Sequence, residues 1–250
     1  MLDERRFPTR GPRETLADAV AALRDMSDGA GTLAAIGVGA FGPLELRPGN
    51  GHGRLLSTPK PGWSGADIVG PLRAAFGVPV AIDTDVTAAA LAEGRWGAAQ
   101  GLGTFAYMTV GTGIGVGVVA GGRPLHGLVH PEAGHVVVAR APGDDFPGVC
   151  PFHGDCLEGM ACGPAIARRW GAPAQDLEGP ALAQAVDLEA AYLASGIRTI
   201  VYALAPERVL LGGGVSGLPG LIPRVRAHLT TALGGYPGLP EHAEEAFVQA

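Results

Sequence analysis

The densest group of potential metal ligands is a short segment that contains cysteine and histidine. Cys150, His153 and Cys156 are separated from one another by two residues, and His135 lies fifteen residues before them. Two thiolates and two imidazoles are the donor set of a closed tetrahedral zinc site, and one loop with this spacing can surround one ion. A chance group of buried cysteines is the alternative, and Cys162, outside the spacing, is expected to be a small core residue. We therefore predict a structural zinc site with four protein ligands.

Two glutamates flank the predicted metal ligands. Glu132 lies three residues before His135, and Glu158 lies two residues after Cys156. A metal ion would fix both carboxylates, which could then accept hydrogen bonds from neighbouring hydroxyl groups of a sugar. The alternative is that both are ordinary solvated surface residues.

A third group of candidates is Asp83-Thr84-Asp85, between a predicted strand and a predicted helix. A carboxylate at a helix N-terminus faces any ligand that lies across the strand ends, so one aspartate could act as a base. Alternatively, Asp83 or Asp85 simply caps the helix. The residues themselves leave both interpretations open.

Two glycine-rich segments could let backbone N–H groups approach a phosphate. One joins two predicted strands of a hairpin, and the other follows a predicted strand and precedes a helix, where nucleotides commonly bind. The candidate residues are Gly111, Thr112 and Gly113 in the first segment and Gly212, Gly213 and Gly214 in the second. Glycines are also expected in tight turns for purely conformational reasons, so each segment alone is weak evidence.

Apolar periodicity predicts alternating helices and strands, which indicates an α/β fold. The predicted helices are 13–26, 66–76, 84–96, 164–170 and 188–204, followed by one that ends at 233, and the predicted strands are 35–38, 78–82, 104–110, 116–120 and 208–211. A second domain is expected to begin near residue 101, which gives a smaller domain at 1–100 and a larger one at 101–250. The long connection 41–63 is rich in glycine and proline and is expected to contribute substrate contacts.

Composition excludes several classes of function. The 250 residues include 24 acidic and 18 basic side chains, a formal charge of −6, and lack the basic stripe that nucleic-acid binding requires. No run approaches the roughly 20 apolar residues of a membrane span. The three cysteines are grouped locally, which suits a metal site in a reducing compartment better than a disulfide framework. We therefore expect a cytoplasmic protein that binds neither nucleic acid nor membranes.

Three segments carry a resemblance to a known family. They are residues 58–63 (TPKPGW), 130–135 (HPEAGH) and 150–159 (CPFHGDCLEG). Together they resemble the ROK family of sugar kinases and repressors, and most closely its bacterial fructokinase branch. The resemblance extends over nearly the whole chain.

The resemblance implies a two-domain, actin-like ATPase fold of the hexokinase type, with sugar in the cleft between domains and ATP with Mg²⁺ on the larger one. Asp85 would be the catalytic base that accepts a proton from the sugar 6-hydroxyl. The substrate-binding residues would be Gly42, Thr87, Glu132, His135 and Glu158. The nucleotide-binding residues would be Gly111, Thr112, Gly113, Gly212, Gly213 and Gly214. His135 would also be a zinc ligand, and a homodimer is implied.

The sequence departs from the family pattern in three places. Nothing before Leu33 resembles the family's N-terminal GGTK phosphate loop, and the family's closing helix is expected after Ala250. Thr87 also stands where the family has asparagine. We therefore expect a chain that lacks the N-terminal hairpin and the C-terminal helix, with weak or no phosphorylation activity on its own.

Two further interpretations stay open. The chain could be a catalytically impaired, zinc-stabilised sugar-binding fragment or a regulator, although it has no N-terminal helix-turn-helix and no basic face of a repressor. It could also phosphorylate mannose or glucose, or act as a glucokinase or an N-acetylhexosamine kinase. Residues 58–63 favour fructose.

Overall fold

A computed structural model describes residues 3–250 and divides them into two compact units. The first unit contains residues 3–88 and 126–130, and the second contains residues 89–125 and 131–250. The chain therefore returns to the first unit for five residues after the second has begun. The predicted domain boundary at residue 100 stays a prediction.

The regular elements alternate between helix and strand, as the apolar pattern predicts. The helices are α1 (Pro12–Ala30), α2 (Val69–Phe76), α3 (Asp85–Trp96), α4 (Leu157–Ala161), α5 (Gly163–Trp170), α6 (Gly179–Leu204) and α7 (Leu221–Leu233). The strands are β1 (Ile36–Ala40), β2 (Val80–Thr84), β3 (Phe105–Val110), β4 (Ile114–Ala120), β5 (Arg123–Pro124), β6 (Arg208–Gly212) and β7 (Val248–Gln249). Short 3₁₀ turns lie at Ala133–His135, Ala174–Asp176 and Pro240–Ala243.

The first unit is built on the parallel pair β1 and β2, in which Ile36 lies opposite Val80 and Ala40 opposite Thr84. Apolar side chains of both strands pack with those of α2 and with Trp63 into one core. Partly buried residues of α1 pack against the same core. Because the two strands are parallel, their carboxyl ends lie at one edge, where Thr84 leads directly into α3.

The long connection between β1 and α2 folds back on itself. Leu44 and Leu55 form a bridge and are both 1% exposed, so they anchor the connection in the core. Trp63 is buried, and its Nε1–H donates to the carbonyl of Arg10 at 2.9 Å. Its ring also meets the edge of Phe41, with centroids 5.1 Å apart. These contacts explain how a segment rich in glycine and proline is held without helix or long strand.

The second unit contains a five-stranded mixed sheet in the order β5-β4-β3-β6-β7. Strands β3 and β4 form the predicted antiparallel hairpin, whereas β6 lies parallel to β3 on its other side. Both β3 and β6 are buried, with Met108 and Val209 at 0% exposure. Since β3 and β6 are parallel neighbours, the glycine-rich segments that follow them meet at the same edge of the sheet.

Helices α6 and α7 pack against each other and contribute to the main core of the second unit. Helix α6 begins nine residues before the predicted start at 188. Pro180 is compatible with this earlier start, because proline in the first turn lacks only an N–H that has no helical partner there. Helix α2 begins three residues later than predicted, because the Asp67 carboxylate accepts the Gly70 N–H at 2.8 Å and occupies the turn before the helix.

No helix within residues 3–250 has the length and apolar character needed to cross a membrane.

Candidate active site and metal centre

The four predicted metal ligands come together in the second unit. The donor atoms of His135, Cys150, His153 and Cys156 all lie within 4.8 Å of one another. The Nδ1 atom of His135 is 3.7 Å from the Cys150 sulfur and 3.5 Å from the Cys156 sulfur. Ligands placed tetrahedrally around zinc at its usual bond lengths of about 2.0–2.3 Å are about 3.4–3.8 Å apart. The donor set and its spacing therefore fit a zinc ion.

Glycines allow the loop that carries three of these ligands to close tightly. Cys150 and Gly154 form an antiparallel bridge, with the Gly154 N–H donating to the Cys150 carbonyl at 3.0 Å. Gly148, at φ +81°, and Gly159 both lie against the Gly154 carbonyl, where an added Cβ would come within 2.0 Å of its oxygen. At these two positions a side chain would collide with the Gly154 carbonyl, so the tight closure of the loop requires glycine. We call residues 148–156 the metal loop.

The Cys156 thiol of the cluster is in an environment that disfavours negative charge. Burial, together with the neighbouring Cys150 and Glu158, raises the pKa of Cys156 to about 11, although the Gly159 N–H acts in the opposite direction. A bound divalent cation reverses this balance, because a coordinating thiol is deprotonated outright. The loop therefore suits a cationic occupant.

Glu158 connects the metal cluster with the turn between β3 and β4. Its Oε2 atom accepts the N–H of Ile114 at 3.0 Å, and its Oε1 atom lies 4.0 Å from His135 Nδ1. Gly113 makes room for this carboxylate, since a Cβ on Gly113 would lie 2.6 Å from Oε2. We call residues 111–115 the glycine turn. The structure thus brings a predicted sugar-binding residue against the predicted phosphate-binding turn.

The two glycine-rich segments lie on one cavity. The Val215 N–H donates to the Val110 carbonyl at 3.0 Å, which joins the segment after β6 to the end of β3. A cavity of about 520 Å³ is lined by Gly111 and Thr112 from the glycine turn and by Gly214 from the other segment. Apolar side chains such as Ala167 and Leu218 complete its lining. Glycine backbone groups and apolar side chains in one lining could accommodate a nucleotide, which has a polar phosphate chain and a planar base.

Asp85 begins α3 in the first unit, and its side chain is exposed. The helix cap is supplied by Thr84, whose hydroxyl oxygen accepts the Thr87 N–H at 3.1 Å. The Asp85 carboxylate accepts the N–H of the adjacent Val86 at 2.9 Å. The alternative that Asp83 or Asp85 caps α3 is therefore wrong: each accepts the N–H of the next residue, and Thr84 is the cap.

Comparison with known proteins places the whole chain in one family. The sequence matches the ROK family over residues 1–247. The chain belongs to the ROK family. A fructokinase from Zymomonas mobilis is 44% identical over 239 residues, which are 94% of this chain and 79% of that protein. A putative fructokinase from Bacillus subtilis is 42% identical over 86% of this chain and 70% of its own length.

Solved structures agree with the assignment. The ROK hexokinase of Thermus thermophilus superimposes with a TM-score of 0.77 at 31% identity, covering 97% of this chain and 82% of that one. The ROK proteins share the actin-like ATPase fold, so the predicted fold class is confirmed.

Three predicted substrate-binding residues of the ROK chain lie in different local settings. Thr87 is 2% exposed, and its hydroxyl pairs with that of Thr84 at 2.7 Å, so it belongs to the cap of α3. Gly42 precedes Pro43 in the connection after β1 and is partly buried. Glu132 is exposed, directly before the 3₁₀ turn that carries His135. Their roles as sugar ligands stay predictions.

Two histidines of the ROK chain that were not predicted as site residues hold residues 126–130 in the first unit. His126 Nε2 lies 3.1 Å from the Asp83 carboxylate, two residues before Asp85. His130 is 4% exposed and accepts the Leu44 N–H at Nε2 over 3.0 Å, so that nitrogen carries no proton. Only the position of His130 in the family motif distinguishes it in sequence, and nothing local predicts either contact.

A buried ionic group in the second unit was also missed. Asp144 pairs with Arg169 at 2.5 Å and accepts a hydrogen bond from the Tyr192 hydroxyl. Burial opposes ionisation of Asp144, but the bonds from Tyr192, Phe146 N–H and Arg169 outweigh it and lower the pKa of the carboxyl. These residues are far apart in sequence, so no spacing pattern could have found them. They brace the segment between the 3₁₀ turn of His135 and the metal loop.

Proposed function

We propose that this ROK chain phosphorylates fructose at its 6-hydroxyl, using ATP and producing fructose 6-phosphate and ADP. The observation that carries the proposal is Glu158, whose carboxylate lies against both the metal cluster and the glycine turn beside the cavity. A sugar-binding side chain next to a phosphate-binding turn is what transfer of a phosphoryl group to a sugar requires. The similarity to fructokinases of Zymomonas mobilis and Bacillus subtilis supports fructose as the acceptor.

Asp85 is proposed as the general base. An exposed carboxylate at the start of α3 can accept the proton of the 6-hydroxyl as that oxygen attacks the γ-phosphorus of ATP. The new P–O bond forms as the bond to the β-phosphate oxygen breaks, and ADP leaves with the electron pair. Mg²⁺ bound with ATP would neutralise the charge that develops on the phosphate oxygens.

The binding residues divide into two groups in this proposal. Gly42, Thr87, Glu132, His135 and Glu158 would bind the sugar. The glycine turn, through Gly111, Thr112 and Gly113, would hold the phosphates, and Gly212, Gly213 and Gly214 would lie along the adenosine. The cavity lined by Gly111, Thr112 and Gly214 supports this nucleotide assignment.

Zinc is proposed as a structural ion held by His135, Cys150, His153 and Cys156. Since all four tetrahedral positions are taken by protein atoms, the ion would order the metal loop and would have no position for a reacting water. His135 would then bind zinc through Nδ1, the atom that faces both sulfurs. A cytoplasmic location and a homodimer stay predictions.

The test is fructose-dependent ADP formation by the protein expressed from its full reading frame, compared with Asp85→Asn. Asparagine is an equally good residue at a helix N-terminus, so this change removes the base and leaves the helix intact. We expect kcat to fall about 100-fold or more. The matched control is Asp83→Asn in the same turn, for which we expect a loss below about tenfold.

Equal losses in both variants would contradict the assignment of Asp85 as the base. An absence of ADP formation with fructose, mannose and glucose alike would contradict the kinase proposal and favour a sugar-binding protein without catalysis. Activity with glucose or an N-acetylhexosamine in preference to fructose would retain the reaction and change its acceptor. Glucokinase relatives, such as one from Halalkalibacterium halodurans at 32% identity, keep that outcome open.

A further inference from the structure

The side chain of Glu158 contacts the backbone of the glycine turn, not a side chain of the turn. Its Oε2 accepts the Ile114 N–H at 3.0 Å, and Ile114 is the first residue of β4. A hydrogen bond from a backbone amide to a carboxylate is stronger than one between neutral groups. The carboxylate is about one quarter exposed, so water competes with this bond only in part. Glu158 is therefore placed to fix the position of the turn itself.

The glycine turn is shaped to receive this carboxylate. A Cβ on Gly113 would lie 2.6 Å from Glu158 Oε2, whereas no described atom lies within 4 Å of a Cβ built on Gly111. At the start of the turn, the Gly163 N–H donates to the Gly111 carbonyl at 2.7 Å. The turn is thus held by α4 through Glu158 and by α5 through Gly163. Only the Glu158 contact depends on a side chain.

The position of Glu158 is in turn tied to the metal ligands. Cys156 lies at the N-terminus of α4, and the N–H of the next residue, Leu157, donates to the Val136 carbonyl at 2.9 Å. Val136 directly follows His135. This backbone hydrogen bond joins the residue after His135 to the residue after Cys156. Glu158 is the next residue in α4. An ion that draws His135 and Cys156 together would hold this bond and Glu158 in place.

From these contacts we infer that Glu158 is a positioning residue for the nucleotide site: it fixes the Ile114 amide, and the metal loop fixes Glu158. Metal occupancy and nucleotide affinity are then coupled through one carboxylate, in addition to any contact that Glu158 makes with the sugar. The nucleotide part of this inference rests on the proposed function. The structural part concerns only the order of the glycine turn and can be tested without a ligand.

The first test is hydrogen exchange of the zinc-loaded protein without sugar or nucleotide. In Glu158→Ala the peptide that contains residues 111–116 should exchange about tenfold faster or more, because the Ile114 amide loses its charged acceptor. In Glu158→Gln the side-chain carbonyl can still accept the N–H through a weaker neutral bond, so exchange should rise clearly less than in Glu158→Ala. Unchanged exchange in Glu158→Ala, or equally fast exchange in Glu158→Gln, would overturn the inference.

Glu207 supplies a matched control at the other end of β3. Its Oε1 accepts the N–H groups of Gly103 and Thr104, each at 2.8 Å. Glu207→Ala should speed exchange near residue 103 and leave residues 111–116 unchanged. Faster exchange at residues 111–116 in this variant would mean that removal of either carboxylate increases exchange throughout the sheet. That result would overturn the specific role of Glu158.

Removal of zinc from the wild type tests the second half of the inference and does not depend on the folding of any variant. Chelation should speed exchange at residues 111–116 while residues 103–104 keep their wild-type rate. A uniform rise in both peptides would show that the metal stabilises the unit as a whole, and no rise in either would show that the loop does not need it. Both results would overturn the coupling.

Titration with a non-hydrolysable ATP analogue in the absence of sugar tests the link to nucleotide binding. Glu158→Ala and the chelated wild type should each bind about tenfold more weakly, and Glu158→Gln should lose clearly less affinity than Glu158→Ala. If the wild type does not bind the analogue at all, the proposed function fails, while the exchange experiment still decides the role of Glu158. Wild-type affinity in Glu158→Ala would overturn the coupling to nucleotide.

Discussion

Several glycines of the second unit allow close backbone contacts in the candidate site, because a side chain at these positions would collide with neighbouring backbone atoms. Gly134, within the histidine-containing segment, packs directly on the backbone of the glycine turn, where an added Cβ would lie 1.8 Å from the Ile114 carbonyl oxygen. A Cβ added to Gly159 would likewise lie 1.8 Å from the Gly154 carbonyl oxygen in the metal loop. Both contacted oxygens belong to the backbone, so they cannot move aside as the end of a flexible side chain could. These glycines are steric requirements of the site.

Gly134→Ala should therefore destabilise the second unit and disturb the glycine turn. Overpacking against backbone costs about 1–3 kcal/mol, and we expect this loss in chemical denaturation, together with weaker binding of an ATP analogue. Gly127→Ala is the control, because no described atom lies within 4 Å of its added Cβ and its φ is not in the left-handed region. Equal stability of the two variants would contradict the close packing of Gly134 on Ile114.

The ionic group of Asp144 gives a prediction about pH. The pKa of this carboxyl is lowered from its usual 3.8, so the folded protein binds fewer protons there than the unfolded chain. Its stabilising contribution is present above about pH 4 and is lost as the pH falls through the lower folded value. Tyr192→Phe removes one donor and should cost about 1–3 kcal/mol at pH 7, a difference that shrinks below pH 4.

Tyr202→Phe on the same helix is the control for this change. The Tyr202 ring is 49% exposed, and its hydroxyl makes only long contacts, each of 3.3 Å, to the carbonyls of Leu233 and Tyr236. We expect a change within about 0.5 kcal/mol at every pH. Denaturation curves at pH 3, 5 and 7 measure both variants, and a Tyr192→Phe loss that persists undiminished at pH 3 would contradict the role of ionised Asp144.

Sequence spacing predicted the metal ligands because they are local: three of them lie within seven residues, and a loop with that spacing can close on one ion. The contact of Glu158 with Ile114 could not be predicted, since 44 residues separate them and the packing of α4 against the start of β4 brings them together. The same holds for Asp144, Arg169 and Tyr192. Sites formed by residues close together in sequence can be predicted from their spacing, whereas sites assembled by tertiary packing cannot.

At the scale of elements, α6 is the central helix of the second unit. Most of its second half is buried, including Leu193 and Ile197 at 0% exposure. Glu189 lies in the same buried stretch at 3% exposure, and its Oε1 has no hydrogen-bond partner among the described residues. Burial raises the pKa of this carboxyl well above 4.5, although the charge of Arg169 acts against the shift. An apolar helix face thus contains one acid that favours its neutral form.

Glu189→Gln should stabilise the protein at high pH. The folded pKa is raised, so the native state is favoured below about pH 4.5 and loses stability as the pH rises towards the folded pKa. Glutamine has the same shape and no charge to bury, so its advantage over the wild type should grow from pH 5 to pH 9, to about 1–3 kcal/mol. Exposed Glu244→Gln serves as the control with no change. A loss of stability in Glu189→Gln at pH 9 would contradict the unpaired burial.

Element types were predictable, but some boundaries were not. The hairpin of β3 and β4 and strands β2 and β6 follow from apolar runs separated by glycines. Helix α4, of five residues, is too short for any periodicity to indicate. Its residues Leu157, Met160 and Ala161 are buried in the core of the second unit, so tertiary packing stabilises it.

At the scale of the whole molecule, the metal site should contribute to the stability of the chain. We expect about one zinc per chain by elemental analysis, with loss of zinc in Cys156→Ser and full retention in Cys162→Ala, since Cys162 lies outside the cluster. With free zinc at about 100 times its Kd, binding stabilises by about 2.7 kcal/mol, so chelation should lower Tm by about 5–11 °C. An unchanged Tm after complete removal of zinc would contradict a structural role.

The return of residues 126–130 to the first unit has a consequence for synthesis on the ribosome. Leu44 emerges early, but the buried nitrogen of His130 that accepts its N–H is added about 40 residues after the last residue of the first segment, Ala88. At about 5–20 residues per second, that interval lasts about 2–8 s. During it the nascent first unit must keep its Leu44 amide hydrated or covered by a chaperone. Completion of the first unit therefore waits for translation of part of the second.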